Sequence, residues 1–219
     1  DFQSELLLMS CVSFIACAVL ILILAPVARR HGLVDEPSFR KQHKNSVPLV
    51  GGISIFGALM VALLSSHIPL SEYRVLFLAL FILITTGLLD DYNEIDAKKK
   101  FFFQVGVASL LVFLDDVVIR NLGEVFFFTK PYGLGPFAIP FSIIAIVGVI
   151  NAINMSDGHD GLAGCYFLLA AAGLLFLQFF KGVGLNEILV VSVVAVLSFL
   201  LFNFAEIIGS KRQVFLGDA

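Results

Sequence analysis

An all-α, polytopic membrane protein is the fold class that the sequence predicts, and three observations lead to it. The 219 residues are 59% apolar and only 14% charged, which is outside the range of soluble globular domains. Apolar runs that match or approach the length needed to cross a bilayer core of about 30 Å recur along the chain. Charged and amide side chains are concentrated between these runs. We therefore expect a transmembrane helical bundle that forms a single membrane domain over residues 1–219.

Seven apolar runs define the expected helices, each bounded by polar or turn-forming residues. They cover residues 6–27, 49–70, 74–89, 101–119, 137–153, 162–180 and 187–204. The third and fifth runs are short, so we expect those two helices to include polar residues at an end or to tilt little.

Positive charge is unevenly distributed over the segments that join these runs. Ten Lys and Arg residues lie in the first, third and fifth connections and the C-terminal segment, whereas the other connections contain four. Because positive residues favour the cytoplasmic side, we expect the N-terminus outside and the odd-numbered connections inside. The net charge of −3, without a dense basic block, argues against a nucleic-acid partner.

The fifth connection, NAINMSDGHDGLAG, predicts a binding site. Asn151, Asn154, Asp157 and Asp160 follow one another at intervals of three, so the first three share a face if the helix continues. No Lys or Arg neutralises this run between two apolar helices. A bound cation or a polar ligand is the expected counterpart, and a merely solvated loop is the alternative.

The third connection begins with an acidic pair, Asp90 and Asp91, and ends with three lysines, Lys98, Lys99 and Lys100. Adjacent carboxylates at a membrane surface repel each other unless a cation or hydrogen bonds intervene. A divalent metal or a proton-transfer role is therefore one interpretation of this pair, and a solvated helix end is the other.

Two further segments on the expected inner face complete the candidate site. Asp218 follows Gly217 in the C-terminal segment, and several acidic segments on one face are how Mg²⁺ is commonly held together with phosphate. Arg40 and Lys41 in the first connection suggest a basic rim that attracts a phosphorylated substrate. Ordinary positive-inside anchoring is the alternative for the basic residues.

Four segments in this order resemble the polyprenyl-phosphate N-acetylhexosamine-1-phosphate transferases, integral membrane enzymes that start bacterial cell-envelope polysaccharides. The resemblance covers essentially the whole chain and rests on GLVDEPSFRKQHKNSVPLVGG, LLDDYNEIDAKKKFFFQ, NAINMSDGHDGLAG and VFLGDA. The first segment is most similar to the branch that initiates the O-antigen of lipopolysaccharide and enterobacterial common antigen.

The resemblance implies a reaction and its participants. The expected reaction transfers N-acetylglucosamine 1-phosphate from the UDP-sugar to undecaprenyl phosphate and releases UMP. Mg²⁺ is the expected cofactor, with Mn²⁺ as the alternative ion. The expected location is the bacterial inner membrane, with several spans and a site that faces the cytoplasm, and homo-oligomerisation is left open.

The same resemblance implies roles for five residues. Asp218 matches the family's metal-binding aspartate, and Asn154 an asparagine near the metal and the diphosphate. Asp90 and Asp91 match an aspartate pair, of which Asp90 is the expected base for the lipid phosphate. Lys100 corresponds to a lysine near the diphosphate.

Six residues are expected to bind substrate, and Asn154, named above for its place near the metal, is one of them. Asp157 and Asp160 correspond to the nucleotide-sugar side of the family's site. Asn151, Arg40 and Lys41 are candidates from the polar run and the basic rim described above.

Family members continue past FLGDA with further helices and a His-rich cytoplasmic loop, so we expect residues 1–219 to be the N-terminal portion of a longer transferase. Two alternatives stay open, a related transferase for another UDP-N-acetylhexosamine, including the muramoyl-pentapeptide substrate, and an inactive truncated fragment. A transporter is disfavoured because its ionisable groups would lie near the bilayer midplane, whereas here they lie at the helix ends.

Overall fold

The computed structural model describes residues 2–35, 46–93, 95–123, 132–156, 161–204 and 213–218. Within these ranges the chain forms seven α-helices and one two-stranded antiparallel ribbon, which confirms the all-α class. The helices are α1 (Phe2–His31), α2 (Gly51–Leu64), α3 (Arg74–Asn93), α4 (Ala97–Leu114), α5 (Ala138–Ser156), α6 (Leu162–Phe180) and α7 (Glu187–Asn203). The ribbon pairs β1 (Val34–Asp35) with β2 (Val47–Pro48).

Several helices have the length and composition of membrane spans. Among the described residues, four segments are long and apolar enough to cross a bilayer, namely Gln3–His31, Leu70–Asn93, Gly135–Ser156 and Leu162–Phe180. Helices α2 and α7 are apolar but shorter. The chain is therefore a helical membrane protein, while the number of spans and the outside position of the N-terminus stay predictions.

The lengths of the second and third helices differ from those expected. Helix α2 has only 14 residues, because its last turn is closed by Ser65 and Ser66, whose hydroxyls donate to the carbonyls of Ala62 and Leu63 at 2.7 Å each. Helix α3 has 20 residues and continues through the acidic pair to Asn93. The third and fifth helices thus include polar residues at an end, as expected from their short apolar runs, since α5 also continues past Asn151 and Asn154 to Ser156.

The fourth helix ends earlier than its apolar run. Helix α4 stops at Leu114, and Asp116 adopts a left-handed backbone conformation with φ of 52°. The exposed Asp116 carboxylate accepts two hydrogen bonds from Arg120, at 2.5 and 2.6 Å. This acidic segment is thus a solvated helix end, at the opposite end of α4 from Lys100.

The core of the bundle lies between α1, α2 and α7, which pack on one another. The small side chains of Cys17, Ala58 and Ala195 are completely buried there, and their size lets the helices approach closely. Two hydroxyls also join α1 to α7: Ser13 donates to the carbonyl of Val191 at 3.1 Å, and Ser198 to that of Phe14 at 2.9 Å. On the other side, α4 packs between α3 and α5.

Residues 213–218, the C-terminal segment below, pair with the chain around the start of α2. Phe215 donates its N–H to the carbonyl of Pro48 at 3.0 Å. In return, Gly51 and Gly52 donate to the carbonyls of Phe215 and Leu216, at 2.9 Å each. Because the first N–H groups of a helix have no partner within it, the C-terminal segment caps α2.

The contact at Gly51 leaves no room for a side chain. A Cβ atom added there would lie 2.7 Å from Leu216 Cα and 2.8 Å from the Phe215 carbonyl oxygen, both backbone atoms. Gly51→Ala should therefore displace the C-terminal segment and lower the free energy of unfolding by about 1–3 kcal/mol. The measurement is the temperature at which half of the detergent-solubilised protein leaves the monodisperse peak in size-exclusion chromatography. Gly148→Ala in α5 is the control, since no atom lies within 4 Å of its added Cβ, and equal losses for both variants would contradict the close contact.

Candidate functional site

The acidic end of α3 and the lysine-rich start of α4 form the base of the candidate site. Helices α3 and α4 pack on each other, and Asp90 near the end of α3 accepts the backbone N–H of Ile95, just before α4, on Oδ1 at 2.8 Å. Its other oxygen, Oδ2, accepts a hydrogen bond from Lys100 Nζ at 2.7 Å. Asp90, at the end of α3, is thus held by two donors that belong to the α4 side of the connection.

Lys100 joins two carboxylates that lie far apart in the sequence. Besides Asp90, its ammonium group makes an ion pair with Asp218 of the C-terminal segment. The Lys100 side chain is 23% exposed and that of Asp90 14%, whereas the neighbouring Lys98 and Lys99 are exposed to solvent. Of the three lysines, Lys100 is therefore the one that faces the acidic side chains.

Asp91 holds the backbone of the C-terminal segment. Both of its carboxylate oxygens accept the Asp218 N–H, at 3.0 Å each. The preceding residue, Gly217, has φ of +79°, and a Cβ added to it would lie 2.7 Å from Asp91 Oδ2. Only a glycine combines this backbone conformation with such a close approach.

The ionisation of this cluster reflects partial burial and close charges. Burial, together with the nearby Asp90, raises the pKa of Asp218 above its ordinary value, although Lys100 opposes the rise. Burial lowers the pKa of Lys100, but its hydrogen bonds with Asp218 and Asp90 outweigh this effect, so the pKa of Lys100 is raised above its ordinary value. Lys100 is therefore a cation, and the three aspartates outnumber it.

A buried glutamine, paired with a half-buried asparagine, lies one helical turn from Lys100. Gln104, 3% exposed, accepts a hydrogen bond on Oε1 from Asn151 Nδ2 at 2.7 Å. The same amide nitrogen donates to the carbonyl of Val147 at 3.0 Å, so both of its hydrogens are used and its carbonyl oxygen is left to accept. Sequence reasoning missed Gln104, although a single amide in an apolar helix, four residues after Lys100, was a usable signal.

Four of the predicted site residues meet in the structure, namely Asp90, Asp91, Lys100 and Asp218. Asn151 of α5 is hydrogen-bonded to Gln104, which follows Lys100 by four residues on α4. Asn154 is half-buried in the last turn of α5, and the described contacts do not join it to Asp218. The other predicted residues, Arg40, Lys41, Asp157 and Asp160, lie outside the described residues.

The donor chemistry of the cluster fits a hard divalent cation. No group of three or more His, Cys, Asp or Glu side chains within the described ranges is arranged to hold a metal ion. Mg²⁺ at phosphate sites, however, takes one or two carboxylates and completes its shell with water and phosphate oxygens. Asp218 supplies a carboxylate of this type, and the excess of carboxylates over the single Lys100 ammonium group favours a bound cation.

Asn203 is a second residue that the sequence did not reveal. It ends α7, is 3% exposed, and donates from Nδ2 to the carbonyl of Val214 at 2.9 Å. Its Oδ1 is the buried side-chain atom without a hydrogen-bond partner in the described part of the chain. Asn203 thus fixes the C-terminal segment from the side opposite the acidic cluster.

Comparison with known proteins gives a consistent result. Residues 73–219 match the sequence profile of glycosyl transferase family 4. A Bacillus subtilis (strain 168) protein named "Probable undecaprenyl-phosphate N-acetylglucosaminyl 1-phosphate transferase" is 34% identical over 214 residues, which are 94% of this chain and 58% of the relative.

Two further relatives carry the name undecaprenyl-phosphate alpha-N-acetylglucosaminyl 1-phosphate transferase. The Yersinia pestis protein is 31% identical over 209 residues, 94% of this chain and 56% of its own. That of Escherichia coli O157:H7 is 33% identical over 197 residues, 88% of this chain and 52% of its own. The chain therefore spans a little over half the length of these relatives.

The contact between Gly217 and Asp91 can be tested against a matched glycine. Gly182 also has a positive φ, +66°, but no atom lies within 4 Å of an added Cβ. Both Gly217→Ala and Gly182→Ala incur the left-handed backbone cost of about 1 kcal/mol. Gly217→Ala should lose about 1–3 kcal/mol more, because the methyl group displaces Asp91. Thermal stability of the two purified variants measures the difference, and equal stabilities would mean that the carboxylate is not held against the glycine.

Proposed function

This chain belongs to glycosyl transferase family 4, and on that premise we propose that the complete protein transfers N-acetylglucosamine 1-phosphate from UDP-N-acetylglucosamine to undecaprenyl phosphate. The observation that carries the proposal is the convergence of Asp90, Asp91 and Asp218 on Lys100 and its neighbouring turn. The names of the relatives supply the transferred group and the lipid. Such a product would initiate a cell-envelope polysaccharide, of which O-antigen lipopolysaccharide is one.

The position of the cluster suits a reaction between a lipid and a water-soluble donor. Its acids lie at the end of the apolar helix α3, and Lys100 directly precedes the apolar part of α4. A polyprenyl tail can stay in the bilayer while its phosphate reaches this level. The UDP-sugar approaches from the aqueous side, which we propose to be the cytoplasmic face of the inner membrane, in agreement with the positive-inside rule.

The proposed chemistry is a direct displacement at phosphorus. An oxygen of the lipid phosphate attacks the β-phosphorus of the UDP-sugar, and the bond from that phosphorus to the bridging oxygen breaks. UMP leaves with that oxygen, and the lipid then carries a sugar diphosphate. A phosphate monoester has its second pKa at about 6, so the attacking oxygen is already ionised at neutral pH.

The residues of the cluster would therefore act mainly by position and charge. Lys100 neutralises phosphate oxygens while Asp90 holds its ammonium group in place. Asp91 fixes Asp218 through its backbone N–H, and Asn151, oriented by Gln104, presents a carbonyl oxygen to a substrate hydroxyl or amide. Held by Asp218 and Asn154, Mg²⁺ would supply positive charge against the diphosphate.

The direct test is release of UMP by the complete protein from UDP-N-acetylglucosamine and undecaprenyl phosphate. We expect release with Mg²⁺ and none after chelation with EDTA. Asp218→Asn keeps the shape of the side chain but removes its charge, so the rate should fall by at least about 10²-fold. UDP-N-acetylmuramoyl-pentapeptide in place of the donor should give no release.

Asp115→Asn is the matched control for this substitution. Asp115 is an exposed acid at the far end of α4, so its loss should leave the rate unchanged. Equal rates for the two variants, or UMP release in the absence of a divalent cation, would rule out the proposed site.

Comparing kcat with KM tests the role of Gln104. Gln104→Leu removes the acceptor of Asn151 without touching the acidic cluster. Because Asn151 then loses its fixed orientation, we expect the KM for the UDP-sugar to rise by about tenfold. Gln104→Glu, which retains an acceptor oxygen, should restore most of the affinity. If both variants behave alike, the hydrogen bond does not orient Asn151.

A further inference from the structure

A groove of about 450 Å³ lies beside α1, away from the acidic cluster. The last three turns of α1 and the end of α7 form its walls, and the start of the C-terminal segment closes it. Apolar side chains dominate these walls, among them Ile21, Leu22, Phe202 and Val214. Its volume lies within the range of cavities that bind lipid-sized or drug-sized ligands.

Arg29 gives this apolar groove a basic end. Its side chain lines the groove and is exposed. Within the described part of the chain Arg29 makes no ion pair, in contrast to Lys100 and Arg120, which are paired with aspartates. An unpaired guanidinium at the mouth of an apolar groove is complementary to a phosphate attached to a hydrocarbon chain.

The depth of the groove matches that of a lipid at the membrane surface. From Ile21 to Arg29 the helix rises by about 12 Å, from the apolar interior of α1 to its basic end. Ile21 is buried and Leu22 is 47% exposed, so the groove opens along the outer surface of the helix rather than into a closed core. A lipid chain can enter it sideways from the bilayer.

From these features we propose that the groove binds one anionic phospholipid of the surrounding bilayer. Its phosphate lies at Arg29, and one acyl chain follows Leu22 and Phe202. The bound lipid also contacts Val214, whose carbonyl accepts the Asn203 hydrogen bond. Because the C-terminal segment also carries Asp218, a lipid bound to Val214 stabilises the segment that completes the acidic cluster.

The polyprenyl phosphate acceptor is not the occupant of this groove. A reacting phosphate has to reach Lys100 and Asp218, which lie at one end of the C-terminal segment. Gln213 and Val214, which line the groove, lie at the other end. Val214 lies four residues before Asp218, and the groove lining includes neither Asp218 nor Lys100.

Native mass spectrometry of the complete protein in detergent can test this proposal without any catalytic assay. Phosphatidylglycerol and phosphatidylcholine are added at equal concentration, and the retained lipid is counted. We expect one phosphatidylglycerol per chain and a preference over phosphatidylcholine of about fivefold. This is the ratio expected when one basic residue attracts one anionic headgroup. Arg29→Ala should abolish this preference.

Two matched pairs of variants separate the groove from the general surface. Arg30→Ala removes the same charge from the next residue, which does not line the groove, and should retain the preference. Leu22→Trp fills the groove and should reduce bound phosphatidylglycerol at least about fivefold. Ile23 is exposed to a similar degree as Leu22 but does not line the groove, so Ile23→Trp should leave phosphatidylglycerol binding unchanged.

Three results would overturn the proposal. Equal effects of Arg29→Ala and Arg30→Ala would mean that only the general surface charge attracts the lipid. Equal retention of the two phospholipids would mean that no headgroup is recognised. Displacement of phosphatidylglycerol by an equimolar amount of undecaprenyl phosphate would assign the groove to the acceptor.

Discussion

The backbone pairing between the C-terminal segment and the start of α2 is the interaction on which the candidate site depends. Gly51 and Gly52 donate the unpaired N–H groups of the helix to the carbonyls of Phe215 and Leu216. One set of hydrogen bonds therefore caps the N-terminus of α2 and fixes the part of the C-terminal segment that leads to Asp218. An exposed loop could carry the same aspartate, but nothing would hold it within reach of Asp91 and Lys100.

Charge balance explains why the cluster needs a single inward lysine. Three carboxylates close to apolar helices repel one another, and each costs free energy when it loses water. Successive residues on a helix point about 100° apart, so of the three lysines at the start of α4 only Lys100 turns towards Asp90 and Asp218. Its cation compensates one charge, and the remaining negative charge suits a site for a divalent ion and phosphates.

Much of this arrangement could be predicted from the sequence, and the limits have physical causes. Apolar runs revealed the seven helices because a bilayer imposes their length and composition. The alternating order of helices and connections predicted that the acidic pair, the lysines and Asp218 lie at the same end of the bundle. The early end of α2 depended on two serine hydroxyls. The Gln104–Asn151 bond and the pairing of Phe215 with Pro48 join distant residues, and no local period encodes such partners.

The C-terminal segment also connects two groups of helices. Helices α1, α2 and α7 pack together and α3, α4 and α5 form the other group; α6 packs on both α5 and α7, whereas α2 shares few contacts with α3. The segment binds Gly51 and Asn203 in the first group and Asp91 in the second. A small shift between the groups would therefore alter the distance from Asp218 to Lys100 before it disturbed either core. The geometry of the acidic cluster thus depends on how the α1 side of the bundle is held, which is why a lipid bound there would act on a site that it does not touch.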